Sequence, residues 1–234
     1  MRDKEDFIFG IRAVMEAIHA GKEIERIKKK KKSDSNLIAN ELFPLVRKFH
    51  IPFQYVPIEK LNRITKKNHQ GVIAFISQIS YHPLEEVVAQ SYEEGKDPLI
   101  VVLDRISDVR NFGAIARSAE CLGFSGIVVP EKGAARINAD AVKTSAGALM
   151  NIAVSRVRSI DKAINLLKES GLKVISVSEK SDRFLSDVNL KSPLALVLGS
   201  EEDGIKSSIL RESDQIAKIP MYGQTQSLNV SVAA

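Results

Sequence analysis

The sequence predicts an α/β protein in which a parallel-sheet domain is preceded by a smaller α/β domain. Three observations carry this. From Leu99 to Ile219, short apolar runs alternate with amphipathic helical stretches, as in a parallel sheet covered on both faces. The texture breaks near residues 78–98, where polar residues and prolines replace the apolar runs. Charge divides at the same place: residues 1–81 hold 16 Lys+Arg against 9 Asp+Glu, and residues 82–234 hold 18 against 20. A basic module before a slightly acidic one suggests that the first meets a polyanion. A chain of 234 residues has room for two such domains.

In the first domain, taken as 1–80, Ile8, Ile11, Val14 and Ile18 recur at helical spacing, as do Ile38, Leu42, Leu45 and Phe49. Ile24–Ile27 reads as a strand that gives way to the lysine run Lys28–Lys32, a solvated loop or a phosphate-contacting one. Pro52–Val56 and Val72–Ile76 read as further strands. Residues 81–97 read as a linker with a short polar helix, Glu85–Lys96. The second domain, 98–234, then runs strand Leu99–Leu103, helix Phe112–Leu122, strand Gly126–Val129, helix Ala139–Leu149 and strand Ile152–Ser155. It continues with helix Ile160–Ser170, strands Lys173–Val177 and Leu194–Leu198, helix Ile205–Glu212 and strand Gln215–Ile219.

Composition excludes several classes. Hydrophobic residues at 44% and charged residues at 27% are ordinary globular usage, against wholesale disorder or coiled coil. The longest apolar stretches, such as Pro98–Leu103, fall far below the roughly 18 residues of a membrane span. Met1–Asp6 lacks an apolar signal core, and a lone cysteine, Cys121, fits a reducing compartment; the expected location is the cytoplasm. There is no Walker lysine loop and no G-x-G-x-x-G after the first strand of the sheet domain. Four dispersed histidines and one cysteine offer no metal-ligand spacing. What remains is polar residues at strand ends, where α/β proteins place their sites.

Three such clusters stand out. Asp104–Arg117 follows the first strand of the sheet domain. Its helix should bury Phe112, Ile115, Ala116, Ala119 and Leu122, with Cys121 as a small core residue. Asn111 falls at the helix start, as a plain cap or a functional amide. Arg117 falls on another face, solvated or functional. Gly199–Gly204 follows an apolar strand, with glycines that admit a ligand to the backbone and acids suited to a helix N-terminus. Ile219–Ala234 mixes small, polar and apolar residues as a helix begins.

In this order and spacing the clusters resemble the three signature motifs of the SpoU (TrmH-type) RNA ribose 2′-O-methyltransferases. Asn111 and Arg117 match the first motif, N-x-G-x-x-x-R. Gly199, Ser200, Glu201 and Gly204 match the second; Pro220, Met221, Gly223, Ser227, Leu228 and Asn229 match the third. Lys143–Ala148 is a minor shared stretch. The basic first domain resembles the small L30-like substrate-binding domain of the RlmB-type 23S rRNA guanosine methyltransferases, through Phe9–Val14 and His69–Val72.

The resemblance implies a SPOUT-type parallel sheet with a C-terminal trefoil knot, a homodimer, and S-adenosyl-L-methionine as methyl donor. It implies methylation of a ribose 2′-hydroxyl in RNA, most closely a guanosine of 23S rRNA. Asn111, Arg117, Glu201, Ser227 and Asn229 would be catalytic. Gly199, Ile219, Met221 and Leu228 would bind the cofactor, and Lys28, Lys29, Lys30, Lys31 and Lys32 the RNA. No metal and no membrane enter. Glu202 departs from the glycine usual after the motif glutamate, and the chain stops at Ala234, where members continue into a last helix. Alternatives are a tRNA ribose methyltransferase, a thiostrepton-resistance type enzyme acting on an rRNA adenosine, and a non-catalytic RNA-binding protein on the same fold.

Overall fold

The computed structural model describes residues 6–31, 38–191, 193–224 and 227–234; of the expected site residues, Lys32 lies outside them. The chain forms two compact units, 1–80 with 137–139, and 81–136 with 140–234.

Unit 1 comprises β1 (Phe7–Phe9), α1 (Ile11–His19), β2 (Ile24–Lys30), α2 (Phe43–Lys48), β3 (Phe53–Val56), α3 (Ile58–Asn62) and β4 (Val72–Ile76). Its sheet has the order β1-β4-β2-β3, with β4 antiparallel to β1 and β2, and β2 parallel to β3. Ile11, Val14 and Ile18 of α1 pack with Ile24, Ile27, Leu42, Val46, Val72 and Ala74. Ile8 belongs to β1 and not to the helix its spacing suggests. Gly10, at φ 90, turns the chain between Ile8 and Ile11 in a conformation that favours glycine. The His69–Gly71 turn is structural: Asn62 Oδ1 holds His69 Nε2 at 2.9 Å, Gly71 N–H donates to His69 Nδ1, and Gln70 Oε1 accepts from Ile11 N–H at the start of α1.

The lysine run is not a loop as far as Lys30. β2 is an interior strand, so backbone pairing with β3 and β4 keeps it extended through Lys30. The lysines therefore part company. Lys29 is 5% exposed, with Nζ over the rings of Phe43 and Tyr55 at 5.5 and 5.3 Å, which corrects its expected place in a solvent-facing row. Lys30 and Lys31 are exposed.

Unit 2 comprises α4 (Leu84–Glu93), β5 (Leu99–Asp104), α5 (Val109–Cys121), β6 (Gly126–Pro130), α6 (Ala139–Thr144), β7 (Ala153–Val157), α7 (Ile160–Glu169), β8 (Lys173–Val177), β9 (Leu194–Gly199), α8 (Ser207–Glu212), β10 (Gln215–Ala217) and α9 (Val230–Ala233). The sheet is parallel throughout, in the order β10-β8-β9-β5-β6-β7. β5 and β6 are buried almost from end to end, as expected of strands covered on both faces. The stretch read as a linker carries α4, whose Leu84, Val87 and Val88 enter the core beside Ile164, Leu167 and Ile209. No helix among the described residues is long and apolar enough to cross a membrane.

Two expectations for α5 fail at its end. Leu122 is 66% exposed and Cys121 is exposed. Phe112, Ile115, Ala116 and Ala119 do form the buried face, but Cys121 stands two residues past Ala119, more than half a turn of helix away. Leu122 is the C-cap, where the chain leaves the helix. The expected helix Ala139–Leu149 is also divided. Ala146 and Gly147 adopt φ 51 and 88, and buried Ser145 donates to Val142 O and accepts from Leu149 N–H.

Asp214 ties β8 to the chain before β10, accepting Val174 N–H at 2.8 Å and pairing with Lys168 at 3.0 Å. Burial raises its pKa, but these partners outweigh burial and hold the carboxyl below its usual value. Its contribution to stability is therefore complete above the unfolded value of about 3.9 and is lost as pH falls through the lower folded value. Asp214→Asn should remove that part of the acid dependence in denaturant titrations from pH 6 to pH 2. An unaltered acid limb would rule the group out.

Candidate active site

The site forms because β5 and β9 are neighbours. Their register pairs Asp104 with Gly199, so the loops leaving both strands emerge together at the carboxyl end of the sheet. After β5, Asp108 caps α5, its Oδ1 accepting from Arg110 and Asn111 N–H at 2.9 and 2.8 Å. Asn111 is thus not the cap, and its amide is turned to other partners. Gly113 lets α5 press on the α6 segment: a Cβ there would come within 2.7 Å of Thr144 Cβ and 3.1 Å of Ser145 N.

After β9 the chain folds back on itself. A Cβ on Gly199 would meet Gly204 C at 2.2 Å; Gly204 N–H donates to Ser200 O, and Asp203 N–H to Ser200 Oγ. This loop presents Glu201 to two amides. Asn111 Nδ2 donates to Glu201 Oε1 at 2.9 Å, and Asn229 Nδ2 donates to the same oxygen at 2.6 Å and to Asn111 Oδ1 at 3.2 Å. Asn229 is itself fixed as the cap of α9, accepting from Ser231 N–H. One residue from each cluster meets at a single carboxylate.

Glu201 also belongs to the walls of two cavities. One, of about 380 Å3, is lined by Gly199, Ile219, Met221, Ser227 and Leu228, together with the Val177–Lys180 turn after β8. That size lies within the range of small-molecule sites. The other, of about 270 Å3, is lined by Arg105, Ser107, Asp108, Asn111 and Gly133. No group of acids, histidines or cysteines among the described residues could hold a metal ion.

Residues 98–234 match the SpoU rRNA methylase family. The chain belongs to the SpoU methylase family. Residues 7–82 match the RNA 2′-O ribose methyltransferase substrate-binding domain. A Bacillus subtilis protein assigned to the TrmH family of tRNA/rRNA methyltransferases is 31% identical over 234 residues, covering 100% of this chain and 94% of its own. A Staphylococcus saprophyticus protein of the same assignment is 32% identical over 231 residues, 99% of this chain and 92% of the relative. The crystal structure of the SpoU methyltransferase AviRb from Streptomyces viridochromogenes, in complex with AdoMet, superposes with TM-score 0.60 at 23% identity, covering 99% of this chain and 87% of AviRb.

Among the residues expected to act in this SpoU chain, Asn111, Glu201 and Asn229 are brought together, and all four expected cofactor residues line the larger cavity. Ser227 lines it too. Arg117 does not join them. It is exposed on α5, about 120° round the helix from Asn111 at 3.6 residues per turn. The sequence reading missed the Val177–Lys180 turn, although the carboxyl end of β8 was a position where such a residue could be sought.

It also missed Arg105. This side chain bonds Asp104 through Nε and Nη2, Asp203 Oδ2 through Nη1 at 2.9 Å, and Gly204 O through Nη2 at 3.1 Å. Asp104 is fully buried and also accepts Lys206 N–H. The Asp104 hydrogen bonds raise the guanidinium pKa. Arg105 adopts φ 61, a left-handed conformation that costs an ordinary residue about 1–2 kcal/mol and is offset here by the bonds it makes. Arg105 and Asp104 thus hold the far end of the Glu201 loop. In a double-mutant cycle Arg105 should couple to buried Asp104 by more than about 1 kcal/mol. Coupling to exposed Asp203 should stay below about 1 kcal/mol. Equal couplings would refute this division.

Proposed function

We propose that the protein transfers a methyl group from S-adenosylmethionine to a ribose 2′-hydroxyl of RNA, a guanosine of 23S rRNA, and that it works as a homodimer. The observation that carries this is the convergence of Asn111, Glu201 and Asn229 on one carboxylate beside a cavity of cofactor size. The residues present fit the donor. Gly199 lines the cavity without a side chain, Met221, Leu228 and Ile205 offer apolar contact, and Glu179, Glu201, Glu202 and Asp203 outnumber Lys180 in the same cavity, a net negative charge suited to a cationic ligand.

When bound, the donor supplies an electrophilic methyl on a sulfonium. Backbone groups at Gly199, Ile219 and Leu228 would hold its adenine and ribose. Asn111 and Asn229, each fixed by Glu201, would orient the incoming ribose with Ser227, and alignment of the attacking oxygen supplies much of the rate. The Arg117 guanidinium would stabilise charge developing on the 2′-oxygen and anchor the adjacent phosphate. Its distance round α5 from Asn111 favours service to the site of a partner subunit. The chain after β10 runs beside Arg183–Leu185 through Lys218, and α9 packs on α5, a course compatible with the knotted end we include in this reading.

In this reading residues 1–80 bind RNA through Lys30 and Lys31, and 98–234 carry out the transfer. That basic domain favours rRNA over tRNA. Transfer of labelled methyl to unmodified rRNA fragments and to tRNA, followed by mapping of the product, tests it. A ribose methyl on a 23S guanosine is the expected product; exclusive methylation of tRNA overturns the target, and failure to bind S-adenosylmethionine overturns the enzyme.

A further inference from the structure

Unit 1 has a chemically uneven sheet. β1 and β2 run in the same direction and β4 runs against both, so the ends of β1, β2 and β3 and the start of β4 share one edge. Backbone bonds confirm the assembly of this edge: Gly10 N–H donates to Val72 O, Lys30 N–H to Gly71 O and Lys31 N–H to Val56 O. Segments 10–13, 30–31, 57–60 and 63–71 meet there, and they contain one carboxylate, Glu59. Against it stand Arg12, Lys30, Lys31, Lys60, Arg63, Lys66 and Lys67, all exposed. At the opposite edge, where β1 and β2 begin, Ile76 N–H donates to Asp6 O and Ser77 N–H to Glu23 O, and acids and bases alternate in Asp6, Lys22 and Glu23.

The basic edge is braced. His69 is buried between Asn62 and Gly71 N–H, and Gln70 is fastened to α1. Gly71, at φ 77, lies so close to Lys30 that a Cβ would touch its side chain at 3.3 Å. Lys67 Nζ lies 6.0 Å from the Phe9 ring. The cations are therefore carried by turns held to the sheet.

We propose that this edge, and not the lysine run as a whole, is where unit 1 grips RNA, through backbone phosphates contacted by Arg12, Lys30, Lys31, Lys66 and Lys67. Exposed ammonium and guanidinium groups with almost no opposing carboxylate bind polyanions without reading bases. The inference rests on the proposed RNA methyltransferase activity and adds the surface that carries its substrate.

The experiment uses the full chain and an rRNA fragment methylated by the unaltered protein. Lys30→Ala/Lys31→Ala and Lys66→Ala/Lys67→Ala are compared with Lys22→Ala/Lys48→Ala, which removes two exposed charges from the segments that lead into the starts of β2 and β3, at the opposite edge. Each edge pair should reduce the slope of log K against log salt by about 1.4–1.8, at 0.7–0.9 per lost phosphate contact. KM for RNA should rise, with kcat and S-adenosylmethionine affinity unchanged. The opposite-edge pair should leave the slope in place. Equal slopes for all variants, or an equal loss from the opposite edge, overturn the inference while the activity stands. If the unaltered chain binds neither donor nor RNA, the functional reading fails first.

Discussion

Arg117→Ala will reduce methyl transfer by at least about 10²–10³-fold, the loss typical of removing one donor to a developing oxyanion. S-adenosylmethionine titration should give a Kd near that of the unaltered chain, because Arg117 is exposed on α5 and is not among the residues lining the larger cavity. The same placement makes a sharper test available. In the proposed homodimer, the Arg117→Ala chain alone and the Asn229→Ala chain alone should each be inactive. If Arg117 serves the partner's site, a mixed dimer rebuilds one complete site from two defective chains. Random assortment should then restore about a quarter of full activity, since half the dimers are mixed and each has one good site out of two. No recovery in the mixture would assign Arg117 to its own chain's site, and full turnover by Arg117→Ala would remove it from the chemistry.

Gly199→Ala will disrupt the larger cavity, the proposed cofactor site. The new Cβ would stand 2.2 Å from Gly204 C and 2.4 Å from Ile205 N, both backbone atoms, so the loop carrying Glu201 must open. Overpacking of this kind costs about 1–3 kcal/mol, or about 2–12 °C in Tm for a domain of this size. Loss of the folded loop should weaken S-adenosylmethionine binding by more than about tenfold, equivalent to about 1.4 kcal/mol. Gly204→Ala is the control. Its Cβ meets nothing within 4 Å, but φ is 64, so the cost is only the backbone strain of about 1–2 kcal/mol. Calorimetric titration and thermal melts distinguish the two. Equal effects on cofactor affinity would show that the fold-back over Gly199 is not what shapes the cavity.

Much of the architecture is legible in local pattern. The apolar runs Leu99–Leu103, Gly126–Val129, Lys173–Val177 and Leu194–Leu198 match strands to within a residue or two at their ends, because a strand buried on both faces writes itself as a continuous apolar run. The buried face of α5 is equally plain, except at its end. Cys121 and Leu122 continue the apolar texture past the point where the helix stops touching the sheet, and composition does not mark that point. The lysines of β2 mislead in the opposite direction. Five consecutive charges look like solvent, yet pairing on both sides keeps the strand extended and closes aromatic rings over Lys29.

The sequence by itself determined the parallel sheet, the family through its three motifs, and the residues to watch. Only the tertiary structure decided which of them meet. Asn111 and Glu201 are 90 residues apart, and Asn111 and Asn229 are 118 apart. Their hydrogen bonds exist because β9 inserts between β8 and β5, setting Gly199 beside Asp104. The same insertion lets Arg105 reach Asp203 and Gly204. Periodicity reports which face of an element is buried, an effect of near neighbours along the chain. Strand order is fixed by packing the whole sheet, so the identity of the loops that share its carboxyl end is a property of the fold.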